Sequence, residues 1–378
     1  MDFDYKNKYK KYLLKLFLAL FCVLFATGIL NFFVNPYNIF QVPTCKLTYL
    51  KPEAKLQERL TKFIGLKFDK RKIDTVFLGT SRADYAIDKD YYKQLTGKEA
   101  ENMAMGGMII EEYQDVLDLI LKIHPEIKNV YLSADFIIFG GNSVFDELSK
   151  AKLNTDKNLT SSEICSALFS ITGLRDSAWT VIKNILGIKT KMYMPNGLRY
   201  PTENENFEES IAASIVEYSK KYENFEYNPE KLNTIRFLKE YCDNRGINLI
   251  IFVMPTHIVD MQLMQYENVY DDFLAWKQDL SYIVPFYYDF QYPCNITNEK
   301  FSADMEYFFE ISHATPVTGN LILDELVSDN LSFGRFYSSD YSYVFNKSDR
   351  DELFLLADDE KERTLFLDKV WRKVKNAV

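Results

Sequence analysis

The chain has 378 residues, 47% of them apolar, with a formal net charge of -9 and no excess of glycine or proline. That length builds one large α/β domain with insertions or two smaller domains, and the composition excludes a disordered chain. An acidic chain without a basic run beyond its N-terminus is no nucleic-acid binder. Five widely spaced cysteines without a C-x-x-C (Cys22, Cys45, Cys165, Cys242 and Cys294) argue against a zinc site.

Residues 16–34, LFLALFCVLFATGILNFFV, run without a charge, long enough to cross a hydrocarbon core of ~30 Å as a helix. Lys6, Lys8, Lys10, Lys11 and Lys15 precede them. The positive-inside rule then predicts residues 1–15 as a basic cytoplasmic N-terminus and everything after Asn35 as extracytoplasmic. The alternative is a cleaved signal peptide. No small-x-small site follows cleanly, and the apolar run exceeds a usual signal core. Asn35-Pro36 stops the helix. Residues 35–70 read as a linker, and no later stretch is apolar enough to span. The expectation is a single-pass protein of the cell membrane.

A buried strand is expected over 73–79, IDTVFLG, followed by Thr80, Ser81 and Arg82. ENMAMGGM, near residue 100, leads into a helix through Glu111, Tyr113, Val116, Leu117 and Ile120. KNVYLSA, 128–134, is a second strand. Residues 140–228, rich in Asn, Ser, Glu and Lys, break the pattern and read as an inserted, partly helical cap. A helix over 230–245 has Pro229 near its first turn and Gly246 just past its end. INLIIFVMP, 247–255, is a third strand, a helix through Trp276 follows, and IVPFYYDF, 283–290, is a fourth. Residues 316–329 suit a closing helix. Residues 331–378 read as a C-terminal appendage with a charged helix from about Glu360 to Val378. Apolar strands alternating with amphipathic helices predict an α/β domain over 71–330, its mostly parallel sheet covered on both faces as a three-layer α/β/α sandwich. With no phosphate-binding glycine motif and no metal-ligand spacing, no cofactor is expected.

Ser81 follows a strand that ends on glycine, which suits either a turn or a nucleophile. A serine nucleophile needs a base, and histidine is the usual one. There are three candidates: His124, His257 and His313. His124 precedes Pro125 and reads as a surface helix end. His257 follows a strand end in VMPTH. His313 lies in EISH, with Glu310 three residues ahead, where a turn lets the carboxylate orient the imidazole.

In this order the pieces resemble the SGNH (GDSL-like) hydrolase superfamily over roughly residues 70–330. FLGTSRA resembles its first block, with Ser81 as nucleophile. NMAMGG resembles the second, containing Asn102 and Gly107, whose backbone N–H would join that of Ser81 in holding an oxyanion. EISH resembles the last, with His313 as base and Glu310 as orienting acid. Two departures stand out. The third block carries an Asn where LSADF has Ala134, and the last-block acid is Glu rather than Asp. The anchor, NPYNIF (Asn35 to Phe40) and VMPTH also resemble a membrane-anchored subset, the DltD and alginate O-acetylation proteins. Those members modify cell-surface polymers with polytopic acyltransferases.

The resemblance implies a serine esterase or O-acyl(acetyl)transferase acting on a surface polysaccharide or related polymer. The missing Asn leaves an alternative, a catalytically weak module of the same fold that binds a glycan or a polytopic acyltransferase. Around the rim, Arg82 suits either an anionic substrate or a structural ion pair. Asp135 suits either support of the site or a turn. His257 suits either substrate contact or a structural role.

Overall fold

In a computed structural model, residues 2–40, 42–52, 58–141, 161–188, 198–199, 207–328, 330–338, 368 and 372 are described. Most of 140–160 and of the expected C-terminal appendage, including its helix from about Glu360, lies outside them. By contacts the chain divides into two units: 69–153 with 193–378, and 1–68 with 154–192.

The first unit is an α/β domain. Its strands are β1 (Thr75–Leu78), β2 (Ala100–Asn102), β3 (Asn129–Ser133), β4 (Asn248–Val253), β5 (Phe286–Asp289) and β6 (Arg335–Ser338), in the order β2-β1-β3-β4-β5-β6. The first five are parallel, and β6 is antiparallel to β5. Every side chain of β1 is buried. Successive side chains of a strand point to opposite faces, so a wholly buried strand must be covered on both. On one face Phe77, Tyr131 and Phe252 pack with Tyr92, Ile322 and Leu323. These last three belong to α4 (Lys89–Thr96) and α12 (Pro316–Ser328). Helix α12 also lies against α3 (Ser81–Ala86). Only a glycine permits that approach, because a Cβ on Gly319 would sit 1.8 Å from the Ala86 carbonyl oxygen.

The expected helix around 230–245 is α9 (Leu232–Asp243), preceded by a short 3-10 turn at Pro229–Lys231. Gly246 follows at φ 64°, the left-handed conformation that glycine adopts freely. The helix through Trp276 is α11 (Tyr270–Ile283), and the one through Tyr113 is α5 (Tyr113–Ile123). Helix α8 (Phe207–Tyr222) closes the inserted stretch.

Besides α3, α4 and a helix over Glu58–Phe68 in the stretch read as a linker, three elements go beyond the sequence reading. β2 spans only Ala-Glu-Asn and carries no apolar run. Helix α10 (Ile258–Tyr266) buries Ile258, Val259, Asp260, Met261, Leu263 and Met264, so it lacks the polar stripe that marks a surface helix. β6 lies within the stretch read as an appendage and extends the sheet.

The second unit contains α1 (Asp2–Val34), α2 (Glu58–Phe68), α6 (Ser161–Phe169) and α7 (Ile171–Leu186). Lys8–Val34 is long and apolar enough to cross a membrane, and no other helix among the described residues is. NPYNIF is the stop. Asn35 takes φ 50°, its N–H donates to the Asn31 carbonyl at 2.8 Å, and its Oδ1 accepts from the Ile39 N–H at 2.8 Å. Lys51 Nζ donates to the Val34 carbonyl, placing a cation on the orphan end of α1. Burial lowers the Lys51 ammonium to about 8.

Candidate active site

Gly79 follows β1, and nothing larger fits there. A Cβ there would stand 2.8 Å from the Ala83 Cβ and 2.9 Å from the Ser133 Cβ. Thr80 is the N-cap of α3, its hydroxyl accepting from the Arg82 N–H at 3.3 Å. The same hydroxyl donates to Asp135 Oδ2, and Ser133 Oγ donates to Asp135 Oδ1 at 3.1 Å. Asp135 is fully buried just past β3 and ties the end of β3 to the turn that presents Ser81. In an open parallel sheet this edge, the carboxyl ends of β1 and β3, is where ligands bind.

Ser81 Oγ lies 2.9 Å from His313 Nε2, although 232 residues separate them. His313 Nδ1 bonds Glu310 Oε1. The Glu310 carboxylate also accepts the His313 N–H at 2.8 Å and the Ser312 N–H at 3.0 Å. Burial would raise the Glu310 carboxyl, but the facing imidazole and these hydrogen bonds outweigh it and hold the group down at about 2. The His313 side chain is 22% exposed and that of Glu310 13%, so the imidazole is the more reachable of the two. Serine, imidazole and carboxylate thus form one hydrogen-bonded line, the arrangement that activates a hydroxyl for acyl transfer.

The loop carrying His313 is fixed from several sides. The Phe309 N–H donates to the His313 carbonyl at 2.9 Å, and Phe308 bridges Ala314. The backbone N–H of His257 donates to the Ile311 carbonyl at 2.9 Å. The His257 side chain is fully buried, bonds the Glu299 carbonyl through Nε2 at 2.7 Å, and stacks on Phe301. VMPTH therefore supports the loop that carries His313.

Arg82, 2% exposed, turns away from Ser81. Its Nε donates to Ser312 Oγ at 3.1 Å and its Nη2 to Asp260 Oδ2 at 3.4 Å. Ser312 Oγ donates to the Tyr218 hydroxyl at 2.6 Å, and the Tyr222 hydroxyl donates to Asp260 Oδ1 at 3.0 Å. Arg82, next to Ser81, is thereby tied to Ser312, next to His313. Burial raises the Asp260 carboxyl to about 6, with the Arg82 charge opposing.

Asn102 is buried and clasps α3. Its Nδ2 donates to the Ala83 carbonyl at 3.1 Å and to the Ile87 carbonyl at 2.9 Å, and its Oδ1 accepts from Ala104 at 3.0 Å. Past β2 the ladder continues, with Met103 N–H to Phe77 O at 2.8 Å and Met105 N–H to Gly79 O at 3.0 Å. This register brings the Gly106-Gly107 turn beside the serine's turn, with Gly107 at φ 65°. Ala134 supplies no donor, since it lacks a polar side chain and its N–H is spent on the Phe252 carbonyl at 2.8 Å.

Sequence reasoning missed three neighbours. The Tyr85 ring lies 4.8 Å from the His313 ring, and Arg199 sits over Tyr85 at 5.2 Å while pairing with Asp84 at 2.8 Å. Asp84 and Tyr85 were discoverable, being three and four residues beyond Ser81 on one short helix. Arg199 comes from the inserted stretch, where no motif marks it. His124 bonds Glu126 at 2.9 Å, two residues away. Among the described residues no group of three or more His, Cys, Asp or Glu side chains is placed to hold a metal. Compared with known proteins, the chain matches no family model and no curated protein, so the case for its chemistry rests on this geometry.

Proposed function

We propose that this protein is a membrane-anchored, extracytoplasmic serine acyl-esterase or O-acyltransferase of the SGNH-like kind, with a three-layer α/β/α catalytic domain. Its substrate class is an O-acylated, most simply O-acetylated, cell-surface polysaccharide or related polymer. The observation that carries the chemistry is the unbroken line from Ser81 Oγ through His313 to Glu310. The basic residues ahead of the apolar run 16–34 support a cytoplasmic N-terminus.

In the proposed reaction Ser81 Oγ attacks the acyl carbonyl while His313 Nε2 takes its proton. Glu310 stabilises the imidazolium, and the backbone N–H groups of Ser81 and Gly107 are the proposed oxyanion donors. The intermediate collapses as His313 returns the proton to the departing alcohol, leaving an acyl-serine. Water or a sugar hydroxyl then attacks the acyl-serine and gives its proton to His313; collapse releases the free acid or the new ester as His313 returns that proton to Ser81 Oγ. The choice between these two acceptors separates esterase from transferase.

Ala134 favours a second reading, a weakly active module that binds a glycan or a polytopic acyltransferase. Losing one oxyanion donor lowers the rate by ~10²–10³ in a well-studied protease. Fluorophosphonate labelling of the detergent-solubilised protein, located by peptide mass spectrometry, decides between them. Labelling at Ser81 that vanishes in Ser81→Ala and His313→Ala is expected. A folded protein that captures a glycan equally well with or without Ser81 and never labels would replace the enzyme by the binding module.

A further inference from the structure

Helix α7 is built inside out. Its buried face carries Gly173, Asp176, Ser177 and Thr180. Its exposed face carries Ile171, Leu174, Trp179, Ile182, Ile185 and Leu186. A helix on the surface of a water-soluble domain has the opposite arrangement.

The inward polar groups are bonded within their own unit. Ser177 Oγ donates to Asn31 Oδ1 of α1 at 2.7 Å, and Asn31 Nδ2 donates to the Leu168 carbonyl at 2.8 Å. The Tyr37 hydroxyl donates to Asp176 Oδ2 at 2.5 Å. Thr180 Oγ1 donates to the Asp176 carbonyl at 2.7 Å, and Asn184 Nδ2 to the Leu50 carbonyl at 2.9 Å. Small residues set the spacing, since a Cβ on Gly28 of α1 would lie 2.6 Å from the Phe169 ring. Inward hydrogen bonds, small residues between helices and apolar side chains outside are what a hydrocarbon solvent selects.

The apolar surface is also continuous with the candidate membrane span. Helix α1 exposes Phe17, Leu24 and Phe33 along its length, and α6 and α7 pack against it through Gly28 and Asn31, close to its C-terminal end. At 1.5 Å per residue, α6 is about 14 Å long and α7 about 24 Å, each too short to cross a ~30 Å core. Arg175, the exposed charge on α7, bonds Asp176 Oδ1 at 2.8 Å through Nε, and its long stem lets the head reach the interface.

We propose that the α6–α7 hairpin is a second membrane-contacting element. It dips into the leaflet beside the C-terminal end of α1, and lipid acyl chains cover the outer face of α7. The proposal rests on the reading of α1 as a membrane span.

Trp179 is one of three tryptophans; Trp276 is fully buried and Trp371 lies outside the described residues, so the Trp179 signal is read by difference. The full-length protein is reconstituted in phosphatidylcholine vesicles whose acyl chains carry bromine, and its fluorescence is compared with that of Trp179→Phe to isolate the Trp179 component. Phe25→Trp in the Trp179→Phe background reports on α1 in the same vesicles. The expected result is loss of most of the Trp179 component to brominated lipid and little loss to aqueous acrylamide. Quenching of Trp179 by acrylamide alone, with the Phe25→Trp signal lost to brominated lipid, overturns the hairpin proposal and leaves the anchor standing. Failure of brominated lipid to quench either position removes the anchor reading and the hairpin with it.

Discussion

Phe77 and Ile182 are both large and apolar, and the chain treats them oppositely. Phe77 is sealed between sheet and helices, whereas Ile182 faces outward from α7. Their polar neighbours are reversed as well. In the α/β unit, buried polar groups gather at the carboxyl end of β1, where Asp135, Arg82 and Asp260 hold the turns that carry Ser81 and His313. In the other unit, buried Ser177 and Asn31 join α7 to α1, and buried Asp176 ties α7 to Tyr37 just past α1. On the readings proposed above, buried polarity has two physical sources: a reacting group to be aimed, and helices whose surroundings offer no partner for a polar atom.

The largest expected effect breaks the first kind of polarity. Ser81→Ala should lower turnover of an aryl acetate on the order of 10⁴–10⁶-fold, the range seen when a nucleophile is removed from a serine triad. Glu310→Gln should lower it on the order of 10²–10⁴-fold, because the amide cannot stabilise the imidazolium. Steady-state kinetics on detergent-solubilised protein reads both. A Glu310→Gln enzyme at full rate would show that the carboxylate only shapes the loop.

The same carboxylate makes stability depend on pH. Glu310 is held at about 2 when folded, against its ordinary 4.5. The folded chain therefore binds fewer protons than the unfolded chain between those values, and stability rises with pH across that window. The contribution is complete above the unfolded value and is lost as pH falls through about 2. Its full size is on the order of 3 kcal/mol. Denaturant unfolding of wild type and Glu310→Gln between about pH 5 and about pH 2 should show their stability gap closing by that amount. A gap independent of pH would mean that the carboxylate gains nothing from its partners.

These residues were readable before the fold because each sits in a short local pattern. Ser81 follows a buried run closed by glycine, and Glu310 lies one turn ahead of His313. The five parallel strands were partly legible on the same basis, four of them being continuous apolar runs. β2 escaped because its pairing comes from the register of β1 rather than from its own side chains, with Phe77 opposite Asn102. The roles of Asn102 and His257 were not legible, since a clasp on α3 and a support under a loop exist only after residues far apart meet. Arg199 is the extreme case, reaching Asp84 from within the insertion. The inversion of α7 was visible in neither composition nor periodicity, since both faces hold ordinary helix residues until burial says which face is inside.

Asp135 tests whether the aiming network is separable from the triad. Asp135→Ala leaves the buried hydroxyls of Thr80 and Ser133 without their acceptor, which should lower stability by about 1–3 kcal/mol. Turnover should fall by more than the folded fraction does, because the turn presenting Ser81 loses its tie to β3. Chemical unfolding and kinetics on the same sample separate the two, and equal losses would make Asp135 a stabilising residue with no part in positioning the nucleophile.

The smallest effect belongs to the inverted helix and is the most informative about its solvent. Ser177→Ala removes the 2.7 Å bond to Asn31 Oδ1 without changing the packing of α7 by more than one oxygen. In water-excluded protein surroundings such a loss, with its acceptor left buried, costs about 1–3 kcal/mol. Between helices in a membrane the average is nearer 0.6 kcal/mol, because the separated helices find other partners. Unfolding in mixed micelles should give the smaller value. It should also give a near-zero change for Ile182→Val, since a side chain bathed in detergent or lipid loses little when trimmed. The reverse ordering, Ile182→Val costing more than Ser177→Ala, would mean that the outward face packs against protein, and the contrast between the two units would then lie in their partners rather than in their solvents.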